Sequence, residues 1–276
     1  MLPPDHILTR LGVTDPVALT RTGIARLWTV RTRNGQTAVL KLYGSSGKGN
    51  EAAGAAYLRA HSDRGAVKVM AVTPDAVLMA FLEGPSLGDL SRAGRDVEAM
   101  QLLARSAARL HAQPVLTVRE LMPLDRALDI LFTCTPGTDC PPDLWRNLSQ
   151  AQTLAKQLLA TQPEPVPLHG DLHHDNIICT NNGLQIIDAK GYCGDVAFEL
   201  ANALRSPKGA AQTVRNLGRV RACTSRFAHA LQVSRQRLAQ WGAVKCAHSI
   251  AVRASGQLGR DTESDLLSLL LDEAAQ

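Results

Sequence analysis

The chain has 276 residues, 45% of them hydrophobic and 20% charged, with a net charge of +5. This is the composition of a globular protein with enough apolar residues for one large domain or two smaller lobes. No apolar run approaches the roughly 18 residues of a membrane span, and the first ten residues lack the basic and apolar segments of a secretory signal, so we expect a soluble, cytoplasmic protein.

The first eighty or so residues have the pattern of β-strands. Residues 25–32 partly alternate apolar and polar side chains, as a half-buried strand does. The Asn-Gly pair at 34–35 favours a hairpin turn, and residues 37–43 supply the returning strand. The other elements predicted in this segment are a helix over 51–60 and strands over 66–72 and 76–81.

Five residues of this segment are candidates for nucleotide binding. Lys41 lies within an apolar strand, and because a buried ammonium needs a partner, we expect Glu51 to pair with it while it contacts the phosphates. The strand pattern alone leaves a solvent-exposed Lys41 as the alternative. Gly23 lies in a loop that could fold over phosphates through its backbone N–H groups. Phe81 and Glu83 lie where the strand pattern ends and could offer backbone groups to an adenine edge.

Beyond Gly84 the apolar positions recur at helical spacing. Residues 96–112 repeat them every three or four positions, as one face of an amphipathic helix does. The residues predicted to form this face are Val97, Met100, Leu103, Ala107 and Leu110. Further helices are predicted over 143–161, and over much of the chain after Asp195.

These patterns together predict an α+β fold with two lobes. We expect a small β-rich lobe for nucleotide binding at residues 1–83 and a larger helical lobe for catalysis and acceptor binding at residues 84–276. The hinge between them is expected near residues 80–85, where Gly-Pro interrupts the chain.

The strongest chemical signal is the segment 168–177, Leu-His-Gly-Asp-Leu-His-His-Asp-Asn-Ile. Asp171 and Asn176 flank a short turn, and Asp188 ends the second strand of a predicted small hairpin. A carboxylate can accept or orient the proton of an acceptor hydroxyl, while carboxylate and amide oxygens suit Mg²⁺. We therefore expect phosphoryl transfer from a nucleotide, with Asp171 as the base and Asn176 and Asp188 as ligands of Mg²⁺. Ordinary turn residues are the alternative interpretation.

The histidines of this segment allow a second interpretation. His173 and His174 could bind zinc beside the aspartates, but neighbouring side chains diverge if the loop is extended. We expect His169 to brace the loop by hydrogen bonds. Asp195 is expected to cap the helix that follows it.

In the last third of the chain, functional and structural interpretations of the charged residues compete. The arginines between 215 and 237 could bind nucleic acid, but their helical spacing among apolar positions and the lack of interleaved aromatic residues favour a solvated helix face. Acidic residues near the C-terminus could line a pocket for a cationic acceptor or form an exposed face. These are Asp261, Glu263, Asp265, Asp272 and Glu273.

The six cysteines form no C-x-x-C pair and have no metal-finger spacing. In a cytosolic chain they are expected to be free thiols. A disulfide between Cys134 and Cys140, which bracket a short loop, is the alternative.

These motifs resemble those of the kinase-like antibiotic phosphotransferases, a superfamily that includes aminoglycoside, choline and homoserine kinases. Residues 168–176 are similar to the catalytic loop of this family. Residues 187–191 and 194–199 resemble the Ile-Asp-Pro-Lys-Gly and Gly-Asp-Pro-Ala-Phe-Glu signatures of its streptomycin 6-kinase and hydroxyurea-kinase branch. Ala189 and Val196 replace the two prolines, and the candidate phosphate loop is poor in glycine.

The resemblance implies a two-lobed protein-kinase fold that uses ATP and Mg²⁺. It assigns Asp171 as the base, Asn176 and Asp188 as Mg²⁺ ligands, and Lys41 as a contact of the nucleotide phosphates. The leading hypothesis is a kinase for a hydroxyl of a small molecule, with an aminoglycoside such as streptomycin as the favoured acceptor and no nucleic-acid or membrane partner. A metabolic kinase for a sugar, choline-like or amino-acid alcohol and a non-catalytic nucleotide-binding regulator are the alternatives.

Overall fold

The computed structural model describes residues 2–44 and 47–276. Its N-terminal lobe contains a five-stranded antiparallel sheet with the strand order β1-β2-β3-β5-β4. The strands are β1 (Val13–Arg21), β2 (Ala25–Thr32), β3 (Thr37–Tyr43), β4 (Val69–Val72) and β5 (Ala76–Ala80). The predicted hairpin of β2 and β3 is confirmed, and Gly35 in its turn has a positive φ of 77° that favours glycine.

Strand β1 is not predicted by the sequence pattern. It lies at the edge of the sheet, pairs only with β2, and buries Val13 alone among its nine residues. An edge strand needs no alternation of apolar and polar side chains and can contain a proline, here Pro16. These properties explain why hydrophobic periodicity does not predict β1.

Two helices accompany this sheet, α1 (Asp5–Leu11) and α2 (Gly54–Ala60). The prediction of one helix over 51–60 is wrong at its start, because Gly49–Glu51 form a separate 3₁₀ turn. Such tighter turns are common at the beginnings of α-helices. The turn presents Glu51 to the interior of the lobe, where it is buried.

The C-terminal lobe is mainly helical, as predicted. Its helices are α3 (Leu87–Arg92), α4 (Asp96–Leu110), α5 (Leu124–Ala127), α6 (Asp129–Thr133), α7 (Pro142–Ala160), α8 (Ala211–Val214), α9 (Leu217–Leu231), α10 (Arg235–Arg253) and α11 (Ser264–Ala274). Helix α10 is the centre of this lobe, packing against α7, α9 and α11 and burying most of its residues. Between Leu238 and Ala251 every residue except Gln240 and Ser249 is buried. This part of α10 therefore has no solvent-exposed face and belongs to the core.

One residue of the predicted apolar face of α4 does not lie in the core. Met100, Leu103, Ala107 and Leu110 are buried as expected, but Val97 is 63% exposed. At 3.6 residues per turn, six residues place Val97 about 120° around the helix from Leu103. It therefore falls at the margin of the buried stripe.

Short strands of the C-terminal lobe position the loop between residues 168 and 177. They are β6 (Met122–Pro123), β7 (Thr135–Pro136), β8 (Val166–Leu168), β9 (Ile177–Thr180), β10 (Gly183–Ile186), β11 (Tyr192–Gly194) and β12 (Gln257–Leu258). The loop runs from β8, which pairs with β11, to β9, which forms the predicted hairpin with β10. Asp188 lies two residues beyond β10 and not at its end, with a positive φ of 62°.

The two lobes meet along more than the segment 81–85 that connects them. The backbone N–H of Val67 donates to the carbonyl of Ile186, and the N–H of Ile186 donates to Gly65 (both 2.8 Å). A buried apolar cluster also joins residues of α2 to Ala189. No helix among the described residues is long and apolar enough to cross a membrane.

Candidate active site

The loop after β8 is held by side-chain contacts to its backbone. His169 accepts the N–H of Asp171 at Nδ1 (3.2 Å), and its Nε2 donates to the carbonyl of Ile187 (2.9 Å). These contacts confirm that His169 braces the loop. Gly170 has a φ of 80°, and a Cβ there would lie 2.7 Å from the Tyr192 ring, so the turn requires glycine.

A buried carboxylate anchors the start of the same loop. Glu199 accepts the backbone N–H groups of His169 (3.0 Å) and Gly170 (3.2 Å), and it pairs with Nε2 of His111 (2.7 Å). Burial by itself would raise the pKa of Glu199, but the hydrogen bond and charge of His111 and the loop N–H groups hold it below its ordinary value. The carboxylate therefore stays ionised and fixes the loop entrance.

Asp171 is oriented by a chain of polar side chains. Its Oδ1 accepts a hydrogen bond from Nδ2 of Asn202 (2.8 Å), and Asn202 in turn accepts one from Arg205 (2.7 Å). Nζ of Lys245 lies 4.0 Å from the same Oδ1. Burial would raise the pKa of Asp171, but the charge of Lys245, followed by those of His173 and Lys190, holds it well below its usual range. Asp171 is therefore an ionised carboxylate, the form that a base requires.

Asn176 lies at the end of this loop, and Asp188 follows β10. Nδ2 of Asn176 donates to the carbonyl of Asp171 (2.9 Å), and the carbonyl of Asn176 accepts the N–H of Ile187 (2.9 Å). Because the first contact uses the amide nitrogen, the amide oxygen is the atom of Asn176 suited to a cation. Oδ1 of Asp188 lies 2.5 Å from Nζ of Lys41. A carboxylate and an amide oxygen fit Mg²⁺, which takes its other ligands from water and phosphate oxygens.

The structure gives no support to zinc binding by the adjacent histidines. Nδ1 of His173 accepts the N–H of Asp175 (3.2 Å), so this ring serves the loop itself. His174 is fully buried, and burial lowers its pKa to about 3. Across residues 2–44 and 47–276, no three His, Cys, Asp or Glu side chains converge as a metal site.

Lys41 is buried and paired on both sides. Nζ lies 2.6 Å from Oε2 of Glu51 and 2.5 Å from Asp188, which confirms the predicted Lys41–Glu51 pair and excludes a solvent-exposed lysine. Burial would lower the pKa of Lys41, but Asp188 and Glu51 raise it above its ordinary value. Lys190, which has no predicted role, binds the other oxygen of Glu51 (2.5 Å). The four charges form one ion-pair chain across the lobe boundary.

A cleft of ≈ 210 Å³ opens beside this chain, between the sheet and the Asp188 loop. Its polar lining includes Lys41, Asp188, Thr20 and Thr22, and its apolar lining includes Leu27, Val77, Met79 and Ile187. An apolar pocket with a few charged groups at one end is the usual form of a site for a small molecule.

Three predicted nucleotide contacts do not line this cleft. Gly23 lies in the turn between β1 and β2, whereas the neighbouring Thr22 reaches the cleft. Phe81 is 39% exposed, and Glu83 is also exposed, in the connecting segment. Their backbone roles stay predictions.

The charged residues of the last third mostly neutralise one another. Five of the six arginines between 215 and 237 form ion pairs, namely Arg215–Asp265, Arg219–Asp96, Arg221–Glu273, Arg235–Glu273 and Arg237–Asp195. Asp261 and Glu263 pair with Arg253, and Glu263 also pairs with Arg205. These pairs contradict both an open basic patch and an uncompensated acidic pocket, while Asp265 and Asp272 are exposed, as the alternative interpretation expects.

Two structural expectations are confirmed. Oδ1 of Asp195 accepts the N–H of Ala197 (2.9 Å), which caps the 3₁₀ turn Val196–Phe198, while Oδ2 accepts from Trp241. All six cysteines are free, and Cys134 and Cys140 do not pair.

Three residues around Asp171 are not predicted as site residues. Glu199 ends a sequence run that the resemblance singles out, so a local signal for it exists. Asn202 and Lys245 lie 31 and 74 positions after Asp171, on separate elements, and neither belongs to a motif. Only the folded chain brings them to the carboxylate of Asp171.

Comparison with known proteins gives a family match over most of the chain. The family described as aminoglycoside/hydroxyurea antibiotic resistance kinase matches residues 10–256. Streptomycin 3''-kinase from Klebsiella pneumoniae is 34% identical over 160 residues, 57% of this chain and 58% of that protein. The chain therefore matches a little over half the length of this curated relative.

Solved structures of similar fold are small-molecule kinases. LicA, a choline kinase from Streptococcus pneumoniae, aligns in its complex with AMP at a TM-score of 0.68 and 15% identity, covering 98% of this chain and 96% of that one. Aminoglycoside phosphotransferase APH(4)-Ia aligns at a TM-score of 0.65 and 13% identity, covering 98% and 97%. At these identities the similarity shows the fold, and the predicted two-lobed protein-kinase-like fold is confirmed.

Proposed function

Because the chain belongs to the aminoglycoside/hydroxyurea antibiotic resistance kinase family, we propose that it transfers a phosphoryl group from Mg²⁺-bound ATP to a hydroxyl of a small molecule. The favoured acceptor is an aminoglycoside such as streptomycin. The observation that carries the proposal is the ionised Asp171 in a braced loop, with Asn176 and the Lys41–Asp188 pair beside it. A cytoplasmic location is part of the same proposal.

The nucleotide would occupy the cleft between the sheet and the Asp188 loop. Its adenine would lie against the apolar lining from β2 and β5, and Lys41 would turn toward the phosphates while Glu51 holds its ammonium. Asn176 and Asp188 would hold Mg²⁺, which neutralises phosphate charge when bound. The AMP complex of the structurally similar LicA supports nucleotide use.

Asp171 would act on the acceptor. Asn202 occupies Oδ1, so Oδ2 is the oxygen suited to the acceptor hydroxyl. The carboxylate orients that hydroxyl toward the phosphorus and receives its proton as the new bond forms, a contribution typically worth about 10²- to 10⁴-fold in rate. The contacts of His169 and Glu199 keep the carboxylate in place during this step.

A metabolic hydroxyl acceptor is the second candidate, favoured by the charge of a neighbouring cavity. Asn202, which touches Asp171, also lines a cavity of ≈ 380 Å³. Its charged lining is Arg205, Lys208, Arg215, Arg253 and Glu263. This lining contains more positive than negative groups. It would therefore repel a polycation but not a neutral or anionic alcohol.

An acceptor panel separates these candidates. The purified protein is incubated with Mg·ATP and, one at a time, streptomycin, other aminoglycosides, hydroxyurea, choline, ethanolamine and simple sugars. Mass spectrometry then detects the addition of one phosphoryl group. We expect a phosphorylated aminoglycoside from the wild type and none from Asp171→Asn. A phosphorylated metabolic alcohol alone would replace the favoured acceptor, and nucleotide binding without any product would indicate the regulatory alternative.

A further inference from the structure

A lysine outside the recognised motifs lies at the catalytic carboxylate. Lys245 belongs to α10, the central helix of the C-terminal lobe, and its side chain is only 11% exposed. Nζ lies 4.0 Å from Oδ1 of Asp171. An ammonium loses favourable hydration when it is buried, so a buried lysine needs a partner that compensates its charge.

Lys245 differs from the other two lysines of the site in how its charge is compensated. Lys41 and Lys190 each lie within 2.6 Å of a carboxylate oxygen. Among the residues that the structure describes, Nζ of Lys245 has no carboxylate closer than 4.0 Å and donates no hydrogen bond. Its three N–H donors are therefore all free to bind a ligand.

Lys245 is surrounded by charged and titratable groups of both signs. Charged or titratable groups face it from each neighbouring element, namely Asp171 in the catalytic loop, Lys190 after β10, Arg205 before α8, Glu263 before α11 and His248 on α10 itself. Burial, more than the charges of Arg205 and Lys190, lowers the pKa of Lys245 to about 8. The group is thus cationic at neutral pH but holds its proton less tightly than an exposed lysine.

We propose that Lys245 is a catalytic residue that contacts an oxygen of the phosphoryl group during its transfer. The proposal rests on the proposed function. The acceptor oxygen must lie within about 3 Å of Asp171, and the phosphorus it attacks is bonded to it in the product. A lysine 4.0 Å from Oδ1, on a flexible four-carbon stem, therefore reaches the oxygens of that phosphorus.

The step conserves atoms and charge. The bond between the γ-phosphorus and the oxygen that links it to the β-phosphate breaks, and ADP leaves with that electron pair. A bond forms between the phosphorus and the acceptor oxygen, whose proton passes to Asp171. Lys245 keeps its proton throughout and stabilises the negative charge on the equatorial oxygens. Lys41 would bind the phosphates from the opposite lobe.

Two substitutions and a matched control test this role. Lys245→Met keeps the length of the side chain without its charge, and Lys245→Arg keeps the charge without a proton that can leave near pH 8. Lys156→Met, on the exposed side of α7, is the control. We expect Lys245→Met to lower kcat by about 10²- to 10³-fold, the scale for losing one charge-stabilising donor, with unchanged affinity for Mg·ADP. The control should keep wild-type kcat.

The pH profile separates contact with phosphate from an action through Asp171. If Lys245 only kept Asp171 ionised, the Met variant would regain its rate at high pH, and that recovery would contradict the proposal. We expect the loss to persist at every pH.

In the wild type kcat/KM for Mg·ATP should decline above about pH 8, because Lys245 becomes neutral. Lys245→Arg should lack this decline, and its persistence in that variant would also contradict the proposal.

A binding measurement makes the test independent of the acceptor. Calorimetry compares the affinity for Mg·ADP with that for Mg·ADP and aluminium fluoride, which mimics the phosphoryl group in transfer. We expect the wild type to bind the fluoride complex at least about tenfold more tightly than Lys245→Met does, while both bind Mg·ADP equally. Equal affinity for the fluoride complex would overturn the role of Lys245. A wild type that binds both ligands but phosphorylates no acceptor would overturn the proposed function instead.

Discussion

At the scale of single residues, the site depends on two carboxylates, one buried and one partly buried, whose charges are each compensated. Glu199 and Asp171 lie at the same loop, and hydrogen-bond donors or cations hold both ionised despite burial. Burying an unpaired ion costs free energy. Removing one partner of a pair therefore destabilises the protein, because the other partner is left as an uncompensated charge. The loop geometry is therefore sensitive to conservative changes at positions that never touch a substrate.

Glu199→Gln tests this dependence. The amide loses the charge that pairs with His111, and its NH₂ group cannot accept the N–H groups of the loop. We expect the free energy of unfolding, measured with urea, to fall by about 3 kcal/mol at pH 7. The exposed Glu98→Gln on α4 is the control and should change it by less than about 0.5 kcal/mol.

The same variant predicts a pH dependence with a definite sign. The pKa of Glu199 is lower in the folded protein than its ordinary value of 4.5. Its stabilisation is therefore complete above that value and is lost as the pH falls through the folded-state pKa. The difference between wild type and Glu199→Gln should shrink below pH 4.5. A difference that stays constant or grows in acid would exclude the buried carboxylate as its source.

Contacts between site residues could be predicted where the residues lie close together in sequence. Asp171 and Asn176 are five positions apart, and Lys41 and Glu51 are ten, so their types and spacing carry the chemistry. Lys190 follows a predicted ligand by two positions, yet its partner Glu51 lies 139 residues earlier. Such contacts follow from packing between elements, and no local pattern encodes them.

At the scale of secondary-structure elements, the site depends on how closely α2 approaches the Asp188 loop. A Cβ on Gly54 would lie 1.9 Å from the carbonyl oxygen of Ala189, and one on Gly191 would lie 2.7 Å from the backbone of Ala53. Both added Cβ atoms would meet backbone atoms, and no flexible side chain could move aside to make room. Two glycines thus let the start of α2, which follows the turn that carries Glu51, meet the loop that carries Asp188 and Lys190.

Gly54→Ala tests this close approach. The methyl group must push α2 away from Ala189, so we expect a loss of about 1–3 kcal/mol in unfolding free energy and a lower affinity for Mg·ATP, measured by calorimetry. Gly44→Ala is the control, because its nearest neighbour, the carbonyl of Ile24, would lie at an ordinary 3.8 Å. Equal effects of the two substitutions would show that the approach of α2 does not position Glu51.

Elements with a strong period were predictable, and elements shaped by contact were not. The β2–β3 hairpin and the long helices α4 and α7 follow from alternation, turn chemistry and helical spacing. Strand β1 has neither period, because it is exposed at an edge. The late start of α2 reflects its packing on the other lobe, which local propensity does not contain.

At the scale of the whole molecule, the active site exists only where the lobes meet. Lys41 comes from the sheet and Asp188 from the helical lobe, and their ion pair crosses the boundary beside the cleft proposed for the nucleotide. The backbone pairing of Val67 with Ile186 holds the lobes together at the same place. The net charge of +5 is not concentrated on the arginine-rich helices, since five of their six arginines are paired with acids.

The central claim is that Asp171 activates an acceptor hydroxyl in a site assembled from both lobes. Single-turnover phosphoryl transfer by Asp171→Asn, compared with the wild type on the same acceptor, tests it most directly. The amide keeps the shape and the contact with Asn202 but cannot take the proton. We predict a transfer rate at least about 10²-fold lower with unchanged affinity for Mg·ADP. A rate within a few-fold of the wild type would contradict the account.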